Sequence, residues 1–403
     1  MHTTDGFRFD FRPGTIRVGA GCVDELGAEL GRRGLDRALL VAGRTVGTTP
    51  AVVDPIRDGL GDRLAGEFPE TTPEKTLGAA LAGLRAARER DADAVVAVGG
   101  GSTLDTAKVL CALSTHGESA GRVAEAAVES GRLPVADDAD PLPMVGVPTT
   151  LAGADLSDLA GVALTLDRDG SGDDPPSGGV RDPRLMPAAL CYDLDLYRTT
   201  PTSILAASAM NGFDKGVEMC YSPLATPITD GTAARGLGLL RSGLGTIREE
   251  PMDCDRLTDV LRGIVAVQYG LAGREGYRAS LIHAFGHGFS HGYDVHQGTI
   301  HGIVAPHVLR YVFDRVDGRR DLLASALDVA DTDTDPAEAV IDAVAGVRDD
   351  LGLPQRLNDV DGVERSDLSS IADAIRDDDL LGVAPEGIDP SVDDIESVLD
   401  RAW

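Results

Sequence analysis

The stretch Val98-Gly99-Gly100-Gly101-Ser102-Thr103-Leu104-Asp105-Thr106-Ala107-Lys108 decides how the chain is read. An apolar run, Ala94-Val95-Val96-Ala97-Val98, ends in three glycines, and these open into residues with helical spacing headed by Ser102 and Thr103. A strand entering a helix through residues without side chains gathers bare backbone N–H groups at the positive helix end. That combination suits a phosphate or pyrophosphate. A glycine-rich turn can equally serve tight packing alone, and this one is neither the G-x-G-x-x-G fingerprint nor a Walker loop.

Two more apolar runs flank it, Ala38-Leu39-Leu40-Val41-Ala42 and Met144-Val145-Gly146-Val147. Both are short and bounded by Gly, Pro or polar residues, as strands buried on both faces of a parallel sheet should be. The Ala-rich segment from Lys75 to Arg90 reads as a helix, which makes this half an α/β domain with crossover helices. The tract Gly146-Val147-Pro148-Thr149-Thr150-Leu151-Ala152-Gly153-Ala154-Asp155 again ends a strand in small residues. Open α/β sheets bind ligands at strand carboxyl ends, so Thr149 and Thr150 are expected to face the same crevice as the glycines. From Asp167 to Asp182 there is almost nothing to bury, and a long exposed loop is expected.

Past about residue 200 helical spacing takes over, from Ile204 to Tyr221, Arg256 to Leu271 and Leu322 to Ala330, with acidic connections from Asp331 to Glu338 and Asp377 to Asp394. Six of the eight histidines lie between His283 and His307. His283, His287 and His291 stand at i, i+4 and i+8, which on one helix would share a face suited to metal or proton chemistry.

Composition bounds the rest. With 403 residues, 42% hydrophobic, the chain should form two domains. The formal charge of −29 repels phosphate backbones and anionic lipid heads, which argues against nucleic-acid and membrane-surface roles. Spread along the whole chain, the acid reads as the solvated shell of a salt-adapted protein. No apolar run is long enough to span a bilayer and the start has no signal-peptide pattern, so a cytoplasmic protein is expected. Cys22, Cys111, Cys191, Cys220 and Cys254 lie far apart, with no C-x-x-C pair, and are expected to be reduced residues in or near the core.

These pieces resemble the iron-dependent alcohol dehydrogenase superfamily, which includes glycerol dehydrogenases and maleylacetate reductases. The resemblance is carried by Gly99-Gly100-Gly101-Ser102, Pro148-Thr149-Thr150, Met210-Asn211-Gly212-Phe213-Asp214-Lys215-Gly216-Val217-Glu218, His283-Ala284-Phe285-Gly286-His287 and Ala305-Pro306-His307, and it spans residues 10 to 400. It implies a Rossmann-like nucleotide domain over 1–198 and an all-α catalytic domain over 199–403, the fold shared with dehydroquinate synthases. It also implies a nicotinamide cofactor in the cleft between them and hydride transfer to or from a small carbonyl compound, in a homodimer or larger homo-oligomer. Gly99, Gly100, Gly101, Ser102, Thr103, Asp105, Thr149, Thr150 and Gly153 are the implied cofactor residues. Leu151-Ala152-Gly153-Ala154-Asp155, Asp182-Pro183-Arg184-Leu185-Met186-Pro187 and His301 look most like the maleylacetate reductase branch.

The departures from the family bear on mechanism. Its metal-dependent members hold a divalent ion with one Asp and three His, and the motifs align Asn211, Lys215, His283 and Gln297 with those places. Two amides are weak ligands and an ammonium repels a dication, so no metal is expected. Lys215 would then take over the ion's charge or bind a substrate carboxylate. His287 resembles the family's proton-relay histidine, and Asn211, Gln297 and His301 would orient the substrate. After the first strand, where many members carry an Asp for the ribose 2′-OH, this chain has Gly43-Arg44, which favours NADP over NAD. Competing readings are a metal-dependent alcohol or polyol dehydrogenase with ligands drawn from Asp214, Glu218, His283, His287 and His296, a synthase or lyase using NAD internally, and a nucleotide-binding pseudoenzyme.

Overall fold

The computed structural model of the protein describes residues 14–168, 175–273, 276–290, 292–330 and 333–403. The chain divides into two compact units at Thr200/Pro201.

The first unit is built on a six-stranded parallel sheet. Its strands are β1 (Thr15–Val18), β2 (Ala38–Gly43), β3 (Leu64–Thr71), β4 (Ala94–Gly99), β5 (Met144–Pro148) and, after the hairpin β6 (Leu159–Ala163) and β7 (Ser177–Arg181), β8 (Ala189–Tyr192). The order across the sheet is β1-β8-β5-β4-β2-β3. Side chains alternate faces along each strand. Leu39 and Val41 of β2 and Val95 and Ala97 of β4 therefore join one core, with α3 (Leu77–Glu89), α4 (Gly101–Ser114) and α5 (Ala120–Ser130). Ala38, Leu40, Ala94, Val96 and Val98 join the other, with α1 (Leu26–Gly31) and α2 (Pro50–Leu60). At about 1.5–3 kcal/mol for each fully buried Val or Leu, this two-sided burial is what commits the apolar runs to the middle of the sheet.

The chain passes from β2 to its neighbour β3, then crosses to the other side of β2 to form β4. That reversal places the carboxyl ends of β2 and β4, Gly43 and Gly99, side by side at a topological switch point. Part of the expected loop from Asp167 to Asp182 is strand instead. Ser177–Arg181 pairs antiparallel with Leu159–Ala163, and only Val180 of β7 is buried, so backbone pairing rather than side-chain burial makes that strand. Residues 169–174 of the expected loop lie outside the described residues.

The second unit is helical. Its principal helices are α6 (Thr202–Tyr221), α7 (Pro227–Gly243), α8 (Cys254–Tyr269), α9 (Leu281–His287), α10 (Gln297–Phe313), α11 (Pro336–Asp350), α12 (Leu368–Arg376) and α13 (Val392–Ala402). Every residue of α6 from Ala209 to Tyr221 is buried, which makes it the central helix of the unit. It lies against α10 at Gly298, where a Cβ would come within 1.7 Å of the Ala207 carbonyl oxygen. No helix among the described residues is long and apolar enough to cross a membrane. The helix expected to run to Ala330 stops at Ala326. Of the cysteines, Cys254 is exposed rather than in or near the core, because it opens α8 at the surface.

Candidate functional sites

In the first unit the glycine turn is the carboxyl end of β4. Gly99 has φ +144°, a backbone that L side chains rarely adopt, and a Cβ there would lie 2.9 Å from Thr103 Oγ1. Gly100 is the N-cap of α4 and offers no side-chain oxygen to the first N–H groups of the helix. Thr149, at the end of β5, donates its N–H to the Gly99 carbonyl at 3.0 Å. Thr150 lies beside Gly100, with Cγ2 3.1 Å from where a Cβ would stand. Thr103 Oγ1 shares a hydrogen bond with Thr71 Oγ1 (2.9 Å), next to Gly43. Arg44 begins a short exposed helical turn, Arg44–Gly47, directly after β2. Ser102 Oγ donates to the Pro73 carbonyl, Asp105 receives Lys75 Nζ at 3.0 Å, and Gly153 has φ +78° in the loop after Thr150.

That loop is tied down from below. Lys108, wholly buried on α4, donates to the carbonyls of Ala154 (2.6 Å) and Leu159 (3.2 Å). Burial presses its ammonium below the usual lysine range, against the pull of Asp105, Asp155 and Asp158. Tyr192 donates to Asp155, Tyr197 to the Thr150 carbonyl and Thr200 to the Thr149 carbonyl.

In the second unit the chemistry is gathered along α6. Asn211, Lys215 and Glu218, with Asp214, recur at intervals of three and four, one stripe on a helix otherwise apolar at these turns. All four are buried. Glu218 accepts the backbone N–H of Ile282 (2.6 Å) and the Tyr221 hydroxyl (3.1 Å) on one oxygen and faces His283 Nδ1 (2.5 Å) with the other. It thereby satisfies a free N–H at the start of α9 and fixes the tautomer of His283, leaving Nε2 as the open nitrogen. Burial pushes Glu218 up to about 7 and holds Asp214 far above the usual carboxylate range, the latter reinforced by the nearby Glu218 charge. Burial, and then the Lys215 ammonium, drive His283 well below the usual imidazole value. His301 is driven down likewise, first by burial and then by His283. Burial thus disfavours the charged forms of Asp214, Glu218 and both imidazoles.

Histidine placement differs from expectation. His301 has no exposed surface; its ring stands edge-on to His283 with centroids 4.4 Å apart and its Nδ1 3.6 Å from Asp214. This burial sets His301 between His283 and Asp214, with no surface open to solvent. Helix α9 ends at His287, where Gly288 and Gly292 begin a turn-rich segment, so three histidines do not share one helix. His291 lies outside the described residues. His287 is partly exposed and its Nδ1 meets Asp378 Oδ2 at 2.8 Å. Gln297 opens α10 with its amide donating to Ser290 Oγ (3.2 Å), and the next residue, Gly298, packs against the backbone of Ala207 and Asn211.

Two family models cover the chain: iron-containing alcohol dehydrogenase over residues 13–193, and the C-terminal region of the Fe-containing alcohol dehydrogenase family over 205–403. The 4-hydroxybutyrate dehydrogenase of Cupriavidus necator is 31% identical across 90% of this chain and 92% of its own. The chain belongs to the iron-containing alcohol dehydrogenase family. As a member it is an NAD(P)-dependent oxidoreductase of the alcohol dehydrogenase and reductase class. It is also similar to the maleylacetate reductase of Pseudomonas knackmussii, 28% identical over 91% of this chain and 90% of that one. The fold matches the crystal structure of maleylacetate reductase from Agrobacterium tumefaciens, with a TM-score of 0.78 and 23% identity, covering 99% of each chain.

The glycine turn fits the pyrophosphate of this family's dinucleotide: uncapped N–H groups, a φ that glycine supplies, and threonine hydroxyls at the adjoining strand end. The ion in the family's name is not matched in the same way. Asn211, Lys215, His283 and Gln297 offer two amides, an ammonium and one imidazole. Both oxygens of Glu218 are engaged, and among the described residues no three His, Cys, Asp or Glu side chains are grouped to hold a metal. This donor set does not fit a divalent cation.

Sequence reasoning passed over Lys75, Lys108 and Asp378. For the lysines a signal existed: of 37 basic residues only Lys75, Lys108 and Lys215 are lysine, and all three stand in or beside the two sites. For Asp378, 91 residues from its histidine in an acidic connection, nothing local marks it.

Proposed function

We propose that this enzyme reduces the carbonyl of a small oxo acid, as its maleylacetate reductase relatives do by name, without a metal ion and with NADPH preferred over NADH. The observation that carries the reading is the buried Lys215 ammonium, set among side chains that do not fit a dication, where burial, and then the Lys215 charge, holds His283 neutral.

When bound, a nicotinamide would supply hydride to the carbonyl carbon. As the C=O π bond breaks, negative charge collects on the oxygen, and Lys215 is a fixed positive charge for that alkoxide, or for the carboxylate of the substrate. In a desolvated place an ammonium acts without waiting for solvent to reorganise. Asn211 and Gln297 are donors that orient the oxo acid, and His283, held by Glu218, offers Nε2 as a further polar contact. His287 delivers the proton that completes the alcohol and recovers it from water, since its side chain is partly exposed. Gly99 to Ser102, Thr149 and Thr150 seat the dinucleotide, with Arg44 at the end of β2 for its 2′-phosphate.

Elemental analysis of protein purified at high salt without chelator, with NADPH-dependent reduction of maleylacetate followed with and without added zinc or iron, tests the reading. Turnover should be unaffected by metal, and Lys215→Ala should lower kcat by about 10²–10³-fold, as loss of one oxyanion-stabilising group does. Stoichiometric metal required for turnover would overturn it in favour of a rearranged ligand set.

A further inference from the structure

We infer that Asp378 is the positioning residue of the proton-delivering histidine, holding His287 through Nδ1 so that Nε2 is the nitrogen that exchanges protons. This rests on the reading of His287 given above.

Helix α9 carries His283 and His287 one turn apart, and each has its Nδ1 met by a carboxylate from far along the chain, Glu218 for the first and Asp378 for the second. The Asp378 carboxylate divides its two oxygens. Oδ1 accepts the backbone N–H of Leu380 at 2.8 Å, capping the short helical turn Asp379–Val383, and Oδ2 meets His287 Nδ1 at 2.8 Å. A carboxylate anchored to its own backbone cannot follow a rotating imidazole, so the ring is fixed in angle as well as in tautomer. The approach of this segment depends on Gly288. A Cβ there would come within 2.5 Å of Ile375 Cγ1, so α12 rests directly on the residue after His287, and Asp378 follows Ile375 by three positions. Burial works against the Asp378 charge, but the His287 bond and the Leu380 N–H hold it below the ordinary aspartate value, so it is ionised at neutral pH. With side-chain exposures of 16% for Asp378 and 41% for His287, the pair is sheltered on the acid side and open on the imidazole side. A proton relay needs that asymmetry.

The same contact would also be made by a pair that merely ties α12 to α9, and the experiment separates the two. His287→Asn, Asp378→Asn, Asp378→Ser and the double variant His287→Asn/Asp378→Asn are compared for kcat and KM with maleylacetate and NADPH, alongside NADPH affinity and thermal midpoint. Serine keeps the cap on Leu380 but cannot reach His287. His287→Asn should lower kcat about 10²-fold, the size of a lost general acid. Asp378→Asn and Asp378→Ser should each lower it about tenfold, as loss of an orienting partner does, with KM and NADPH affinity within about twofold of wild type. The double variant should be no slower than His287→Asn, since Asp378 acts only through that ring. Full activity in Asp378→Ser, or losses that multiply in the double variant, would overturn the inference while leaving the proposed function standing. Full activity in His287→Asn would instead remove the proton-delivery role itself, and this inference with it.

Discussion

A single residue can be expensive to bury and still be kept, and Lys215 is the instance here. Lys215, with 6% exposure, stands on the central helix in one stripe with Asn211, Asp214 and Glu218, and burial holds Asp214 and the imidazoles in their neutral forms. The stripe at 211, 214, 215 and 218 was legible in the sequence, as charged and amide residues recurring at helical intervals among Met, Phe, Gly and Val. What the stripe touches was not legible, because His283 and His301 lie on other helices and their pairing with Glu218 and Asp214 is a product of packing. On the proposed preference for NADPH, Arg44→Asp would remove a charge-assisted contact to the 2′-phosphate, of order 1.5–3 kcal/mol, so KM for NADPH should rise by about 10–100-fold while KM for NADH changes little or falls. Equal effects on both dinucleotides would show that Arg44 does not read the phosphate.

Elements were legible where burial and length combine. The central strands β2, β4 and β5 are apolar on both faces and announce themselves; β1 and β3 do not, because they lie at the sheet edges, and β8, buried and central, is only four residues long. β3 carries Glu67, Pro69 and Glu70 within eight residues, and an edge tolerates a proline whose missing N–H a central strand would need. Helix α10 offers an element-level test. His307 on it is pushed down to about 4, first by burial and then by Arg401 of α13, Arg348 of α11 and Arg310. Between pH 6.5 and about 4 the unfolded chain binds a proton there that the folded chain refuses. Stability should therefore be fully present above pH 6.5 and fall as the pH drops through that window. Allowing for solvent screening, the loss should be about 1–2 kcal/mol, and urea unfolding of His307→Gln should show a flatter acid limb by that amount. An unchanged limb would place the acid sensitivity elsewhere.

Over the whole molecule, charge is the dominant long-range fact. At −29 the folded chain repels itself, and raising ionic strength shortens the Debye length from about 10 Å at 0.1 M to 3 Å at 1 M. The thermal midpoint should rise by roughly 5 °C between 0.1 and 2 M KCl, whereas a chain stabilised mainly by surface ion pairs would lose stability; scanning calorimetry at the two salts decides between them. Arginine carries nearly all the opposing charge, and its fork pairs bidentately with the abundant carboxylates, as Arg57 does with Glu67 (2.8 and 2.8 Å) and Arg319 with Asp230 (2.8 and 2.6 Å). The scarcity of lysine has a further chemical consequence. Lys108 is wholly enclosed and Lys215 nearly so, while Lys75 is 34% exposed. An acylating or reductively alkylating reagent therefore meets one accessible side-chain amine in the folded chain. It lies just beyond the end of β3, paired with Asp105 on the helix that the glycine turn opens, so among lysine side chains amine-directed coupling marks the first unit at a single point.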